Sequence, residues 1–145
     1  MDPYATHQRL LIRYALKCNG NIAETGCGYY STPLLKEIAK YKGVKLISYV
    51  SDAAWAEKFR NLTEANVYEQ RIVDFTKPFD IEPCGMVFVD HEQVTTERVK
   101  HLDNLFKFTN YVVIHDSDRT PSQLKRYNII EVDASFLPNT CVLKK

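Results

Sequence analysis

Two short apolar runs in the second half of the chain, Met86–Val89 and Tyr111–Ile114, each end abruptly in polar side chains. These polar groups contain carboxylates, imidazoles and a hydroxyl: Asp90, His91 and Glu92 after the first run, and His115, Asp116 and Ser117 after the second. Side chains of these types hold a hard cation or move a proton. If the runs are neighbouring parallel strands, both groups project into the same crevice. In the alternative interpretation, the two aspartates are helix caps and the two histidines are hydrogen-bonded residues near helix starts.

A third feature with possible chemistry is the glycine-containing segment that follows an early apolar run. Glu24 is followed by Gly26 and Gly28, and Ser31 or Thr32 could cap the helix that comes next. Glycines in such a turn let the backbone approach a ligand closely, although some of these turns are only tight connections. In an open α/β sheet, ligands bind beyond the carboxyl ends of the strands, which is where this segment would lie.

The charge of this segment limits the kind of ligand. A dinucleotide site presents a helix N-terminus to a pyrophosphate, which the Glu24 carboxylate would repel. Ser31 also stands where the dinucleotide pattern has its third glycine. The segment is therefore better suited to a ligand that carries positive charge, and a nicotinamide-dependent oxidoreductase is disfavoured.

The elements that position these residues alternate between apolar runs and helical patterns. Five predicted strands alternate with helices, and two further strands close the chain. Such alternation predicts crossover connections and a parallel sheet with helices on both faces. We therefore expect an α/β, Rossmann-like three-layer sandwich whose seven-stranded, mostly parallel sheet includes an antiparallel C-terminal strand. The last two strands are close enough in sequence to form an antiparallel edge hairpin.

We predict helices over Ala53–Leu62 and Thr95–Phe108, and one that begins at Ser31 and ends at Gly43. A further helix is predicted within residues 1–18, where apolar side chains recur at helical spacing: Leu10, Leu11, Tyr14, Ala15 and Cys18.

Length and composition are those of one ordinary globular domain. The chain has 145 residues, and we expect a single domain over 1–145, with the N-terminal helix followed by a core from 21 to 145. Its 19 basic and 18 acidic residues leave a net charge of +1, so no general attraction to nucleic acid is expected. Nothing resembles a membrane span or a signal peptide. The four scattered cysteines favour reduced thiols, and we expect a cytoplasmic protein.

The segment ETGCG resembles motif I of class I S-adenosylmethionine-dependent methyltransferases, and the element order is similar to their seven-stranded fold. The resemblance implies that Glu24, Gly26 and Gly28 line the methionine half of S-adenosylmethionine, with Ser31 and Thr32 at the following helix start. The family usually holds the ribose with an acid at the end of the second strand, where this chain has Val50.

Two acids at other strand ends extend the cofactor site that the resemblance implies. Asp52, two residues after Val50, could replace the ribose-binding acid or simply cap the next helix. Asp74 follows the third predicted strand, where the family commonly has an acid that reaches the adenine amino group. Its alternative is a solvated loop carboxylate.

The run MVFVDH and the later pair Asp116-Ser117 resemble the catechol-type O-methyltransferases. The resemblance implies a magnesium ion bound by Asp90, Asp116 and Ser117, which would lower the pKa of an acceptor hydroxyl. Asp90 would also border the cofactor. The family's asparagine is Ser117 here, and its lysine is Gln93, so either His91 or Glu92 takes the role of the base or the metal alone suffices. The candidate catalytic residues are thus Asp90, His91 and Glu92.

The chain is little more than the core of that fold, and three functions remain open. The first is methyl transfer to a small-molecule acceptor, with a homo-oligomer or a partner subunit completing the pocket. The second is a methyltransferase acting on a macromolecule, although the chain lacks the motif expected for methylation of a base nitrogen. The third is a non-catalytic accessory subunit that binds S-adenosylmethionine.

Overall fold

A seven-stranded sheet forms the centre of the computed structural model, which describes residues 2–91 and 95–145. The strands are β1 (Ile22–Thr25), β2 (Leu46–Val50), β3 (Tyr68–Ile72), β4 (Met86–Val89), β5 (Tyr111–His115), β6 (Asn128–Asp133) and β7 (Thr140–Lys144). They lie in the order β3-β2-β1-β4-β5-β7-β6. The pairs from β3 to β5 are parallel, and β7 is antiparallel to both of its neighbours. The predicted fold class is confirmed.

Helices cover both faces of the sheet. They are α1 (Gln8–Lys17), α2 (Thr32–Lys42), α3 (Ala53–Glu57), α4 (Thr95–Lys100), α5 (Leu102–Leu105) and α6 (Pro121–Leu124). Helices α1 and α2 pack with Ile22, Met86 and Phe88 on one face of the sheet. Residues of α4, α5 and α6 pack with Ala23 and Val87 on the other face. Because β1, β2 and β4 are buried on both faces, their sequences show no alternation of apolar and polar residues, and β4 is entirely apolar.

Strand β1 lies at the point where the strand order reverses. Its sequence neighbour β2 pairs on one side of it and β4 pairs on the other. The connections that leave the carboxyl ends of β1 and β4 therefore diverge, which leaves a crevice between them. All three motif regions identified in the sequence end at this edge of the sheet.

Two predicted helices are shorter in the structure than their sequence patterns indicate. The stretch Ala53–Leu62 forms α3 followed by a 3₁₀ turn over Arg60–Leu62, and Thr95–Phe108 divides at His101 into α4 and α5. Backbone bonds from Lys58 to Trp55 and from His101 to Arg98 span three residues instead of four. Such bonds tighten the helix and end its regular course. The apolar side chains of this second stretch are buried all the same.

The structure adds a short turn to the predicted N-terminal helix, and it orders the last two strands at the edge of the sheet. A 3₁₀ turn over Pro3–Ala5, capped by the Asp2 carboxylate, precedes α1. The predicted apolar face of α1 is buried, as expected. At the other end, β6 and β7 pair antiparallel and form the predicted hairpin at the edge of the sheet, with β7 beside β5 and β6 outermost. The four cysteines are free, and no described helix is long and apolar enough to cross a membrane.

Candidate functional site

A cavity of about 1340 Å³ opens at the carboxyl ends of the strands, beside the switch point at β1. Its wall is formed by the loops after β1, β2, β4 and β5 together with the N-terminal 3₁₀ turn. Of the residues predicted to form the site, those that line it are Gly26, Gly28, Ser31, Asp52, Asp90, His91 and Asp116. The topology therefore brings together most of the residues that the sequence analysis selected.

The loop after β1 passes very close to the end of β4. Gly26 has a φ of +84°, and a Cβ atom there would lie 2.9 Å from the carbonyl oxygen of Asp90 and 3.0 Å from the Cα of His91. Its N–H donates to the carbonyl oxygen of Tyr49 at 2.8 Å. Only glycine fits this position without strain, since it needs both the left-handed backbone and the missing side chain.

Glu24 lies behind the cavity wall rather than in it. The side chain is fully buried, and its Oε1 accepts hydrogen bonds from Thr32 Oγ1 at 2.7 Å and from Ser48 Oγ at 2.5 Å. Thr32 Oγ1 accepts in turn from the N–H of Gly28 at 2.9 Å. Burial raises the pKa of Glu24 to about 7. Glu24 and Thr32 thus brace the glycine loop from below, whereas the resemblance placed them against the cofactor.

The acids after β2 and β3 differ in position. Asp52 lines the cavity, and its Oδ1 accepts from the N–H of Trp55 at 3.0 Å, so it caps α3 and also faces the cavity. Asp74 is exposed and does not line the cavity. Its Oδ1 accepts from the N–H and the hydroxyl of Thr76, which makes it a turn residue.

A buried arginine that the sequence analysis missed joins the two acidic strand ends. Arg98 of α4 donates to Asp116 Oδ2 at 2.7 Å and forms an ion pair with Asp90 Oδ1 at 3.2 Å. It also donates to the carbonyl oxygens of His91 at 2.5 Å and His115 at 3.2 Å. Its side chain is only 5% exposed. The sequence signal that could have indicated this contact is a cationic residue on the helix that follows Asp90.

The residues predicted to bind magnesium do not fit that ion. The Arg98 guanidinium contacts both carboxylates, Asp90 and Asp116, and already supplies positive charge between them. Ser117 is buried and does not line the cavity. Magnesium requires oxygen ligands in octahedral geometry and retains several waters, which a guanidinium held between its two carboxylates prevents.

His91 is held as a neutral ring against the base of the cavity. Its Nδ1 lies 2.6 Å from Thr25 Oγ1, and its ring stacks on Phe75 with centroids 4.1 Å apart. Burial lowers the pKa of His91 to about 3. An imidazole with so low a pKa is a poor general base at neutral pH. Glu92, the other predicted base, and Gln93 lie outside the described residues.

A pair of imidazoles, His7 and His115, also lines the cavity, and one of them contacts Asp90. His115 Nδ1 lies 3.3 Å from Asp90 Oδ1, and the His7 and His115 rings meet edge to face with centroids 4.8 Å apart. Both rings line the cavity and are buried. His7 precedes α1, some hundred residues away in sequence, so no local motif indicated that it belongs to the site.

Comparisons with known proteins show what this architecture is shared with. No family model matches the chain, and no curated protein matches it. Among solved structures, the chain is similar to an S-adenosylmethionine-dependent O-methyltransferase from Thermotoga maritima, with a TM-score of 0.72, 11% identity and coverage of 96% of this chain and 64% of that one. A methyltransferase from Aquifex aeolicus gives a TM-score of 0.66 at 12% identity, covering 94% and 87%.

The N-methyltransferase NodS from Bradyrhizobium japonicum, solved with S-adenosyl-L-homocysteine, gives a TM-score of 0.64 at 13% identity, covering 96% of this chain and 85% of that one. The chain therefore has the Rossmann-like methyltransferase fold. It spans slightly less than two thirds of the length of the Thermotoga protein. These neighbours methylate different atoms, so the fold alone does not select the acceptor.

Proposed function

We propose that the chain binds S-adenosylmethionine in this cavity and transfers its methyl group to an oxygen atom of a small acceptor. The observation that carries the proposal is the glycine loop after β1. Gly26 approaches the end of β4 so closely that no side chain fits, and the loop borders a large cavity at the switch point of the sheet. The fold similarity to methyltransferases supports the same conclusion.

The cavity wall has groups suited to each part of S-adenosylmethionine. Backbone around Gly26 and Gly28 would face the methionine portion, and Asp52, which also lines the cavity, would accept hydrogen bonds from the ribose hydroxyls. Val50, Trp55 and Phe75 provide apolar surface for an adenine ring. Trp55 is held in place because its Nε1 donates to the carbonyl oxygen of Cys27 at 2.7 Å.

The chemistry of the opposite wall favours an oxygen acceptor. Asp90 and His115 line the cavity within 3.3 Å of each other, and a hydroxyl that donates to either would be oriented and made more nucleophilic. Methyl transfer otherwise requires mainly that the nucleophile, the methyl carbon and the sulfur be held in line. A cavity that binds both reactants supplies this alignment.

Calorimetric titration with S-adenosylmethionine tests the cofactor site, with two matched variants. Asp52→Asn keeps the helix cap, because asparagine caps as well as aspartate does, but it loses the charged ribose acceptor. We expect affinity to fall about tenfold or more, as for loss of a hydrogen bond to a charged group. Asp74→Asn keeps its turn, lies outside the cavity, and should bind as the wild type does.

Absence of binding by the folded wild-type protein would overturn the proposal. Equal affinity of both variants would remove Asp52 from the site. Once binding is established, release of S-adenosylhomocysteine with phenolic and other hydroxylated acceptors tests the transfer itself. Binding without transfer to any acceptor would instead support the accessory-subunit function.

A further inference from the structure

Three cavity-lining side chains from distant parts of the chain form a cluster, and two of them, Asp90 and His115, are the groups that the proposed function places beside the acceptor. His7 precedes α1, Asp90 follows β4 and His115 ends β5. One nitrogen or oxygen atom from each residue lies within 4.8 Å of the other two. Two imidazoles and a carboxylate at such distances are a common ligand set for transition metals.

Hydrogen bonds show how the two ring nitrogens of His115 are oriented. Thr6 Oγ1 has one hydrogen, which it donates to the carbonyl oxygen of Pro138 at 2.8 Å or of Pro3 at 3.2 Å. It therefore accepts at its contact with His115 Nε2, at 3.1 Å, so Nε2 carries a proton. The other ring nitrogen, Nδ1, faces Asp90 Oδ1 at 3.3 Å and is the ring atom that points into the cluster.

His7 offers an unused ligand atom at the same place. The residue is 2% exposed, and neither of its ring nitrogens has a hydrogen-bond partner among the described residues. A buried polar group without a partner is costly unless something absent from the protein chain satisfies it.

We propose that His7, Asp90 and His115 bind a divalent transition metal ion of the zinc class. The contact between His115 Nε2 and Thr6 is the type of second hydrogen bond that orients a metal-binding imidazole. Three protein ligands leave a coordination position open toward the cavity, where water or an acceptor oxygen would bind.

Local charge is compatible with such an ion. Asp90 and Asp116 carry two negative charges, and Arg98 between them carries one positive charge. Arg119 adds only a longer, solvent-exposed ion pair with Asp116 Oδ1 at 3.8 Å. The site differs from the magnesium site expected from the sequence, because nitrogen ligands replace Asp116 and Ser117.

The test uses the full chain without a histidine tag, stripped with chelator and titrated with Zn²⁺ in a calorimeter without S-adenosylmethionine. We expect one ion per chain. His7→Gln and His115→Gln should each weaken binding at least about tenfold, since even loss of an outer-shell partner costs that much. His101→Gln is the matched control: His101 is also buried, but it bonds to the carbonyl oxygen of Phe75, outside the cluster.

Co²⁺ added to the wild type gives a readout that does not depend on whether the variants fold. A tetrahedral or five-coordinate spectrum without a thiolate charge-transfer band supports nitrogen and oxygen ligands. The proposal is overturned if the folded wild type takes up no ion, if a thiolate band appears, or if all three variants bind equally. Because S-adenosylmethionine is omitted, failure here is separate from failure of the cofactor proposal.

Discussion

At the scale of single residues, Arg98 contacts the carboxyl ends of two neighbouring strands, β4 and β5. It joins two carboxylates and two backbone carbonyls from β4 and β5, and it is almost fully buried. A buried ion pair contributes little net stability over an apolar replacement, but removing one partner leaves an uncompensated charge. Arg98 therefore determines how the two acidic strand ends are spaced.

Replacing Arg98 with methionine should reduce the free energy of unfolding by about 3–5 kcal/mol, because Asp90 and Asp116 would face each other without a counter-charge. The control is Arg126→Met, which removes an exposed, solvent-screened pair with Asp103 and should leave stability nearly unchanged. Urea denaturation of both variants measures the difference. Similar losses in the two would contradict a buried, bridging Arg98.

Glu24 should make stability depend on pH in a direction unusual for a carboxylate. Burial raises its pKa from 4.5 to about 7 in the folded protein, so the folded state holds the proton more tightly than the unfolded state does. Its contribution is fully present below about pH 4.5 and is lost as the pH rises toward 7.

Glu24→Gln removes this titration and keeps a side chain of nearly the same shape. The free energy of unfolding of the wild type, minus that of the variant, should fall as the pH rises from about 4.5 to 7. The slope should approach about 1.4 kcal/mol per pH unit. Denaturation curves across this range measure it, and comparison with the variant cancels other titrating groups. A difference that rises with pH would refute the raised pKa.

At the scale of elements, the loop between β1 and α2 determines the shape of the cavity. Its conformation depends on a contact from above, where Gly26 meets the end of β4, and on a brace from below through Thr32 and Glu24. Neither contact is made within the loop itself. The conformation of the loop therefore depends on its contacts with β4, with Glu24 of β1 and with Thr32 of α2.

Gly26→Ala should reduce stability and also abolish binding of S-adenosylmethionine. The new methyl group would meet backbone atoms of Asp90 and His91, and the backbone would be strained at a φ of +84°. Gly43→Ala provides the comparison, because Gly43 also has a positive φ, of +68°, but no atom lies within 4 Å of the added carbon. It should lose only about 1–2 kcal/mol and bind normally. Calorimetry and urea denaturation separate the two effects, and equal behaviour would contradict the close approach.

At the scale of the whole molecule, burial is concentrated in the central strands. Every residue of β1, β2 and β4 is buried, whereas β6 is a partly exposed edge strand, with Val132 52% exposed. The strands that carry the candidate site are thus the most protected elements. We therefore expect β1, β2 and β4, which lie beneath the cavity, to be rigid.

Native-state hydrogen exchange should therefore be slowest at the amides of β4 and fastest, among the strands, at those of β6. Opening of an edge strand exposes little apolar surface, but opening of β4 disrupts both faces of the core. Amides of β7, which is antiparallel but interior, should resemble those of β5. Protection of β6 equal to that of β4 would indicate that something covers the edge in solution.

The sequence by itself determined the elements and their order, because the signals for them are local. Runs of apolar residues bounded by glycine or aspartate predicted β4 with its observed bounds, and the glycine loop and Gly43 marked the start and end of α2. The alternation of strands and helices predicted the parallel sheet, since chain connectivity leaves few other arrangements. It also predicted that acidic residues would meet at one edge of the sheet.

Only the tertiary structure decided what those residues face. Glu24 turned away from the cavity because Ser48, on the neighbouring strand, and Thr32 bind its carboxylate. Arg98 lies between the two aspartates, and His7, from the N-terminal segment, lies beside Asp90 and His115. These contacts join residues from different parts of the fold, and packing of whole helices on the sheet brings them together. A sequence motif shows which side chains lie at the carboxyl edge of the sheet, but the residues that they contact there depend on that packing.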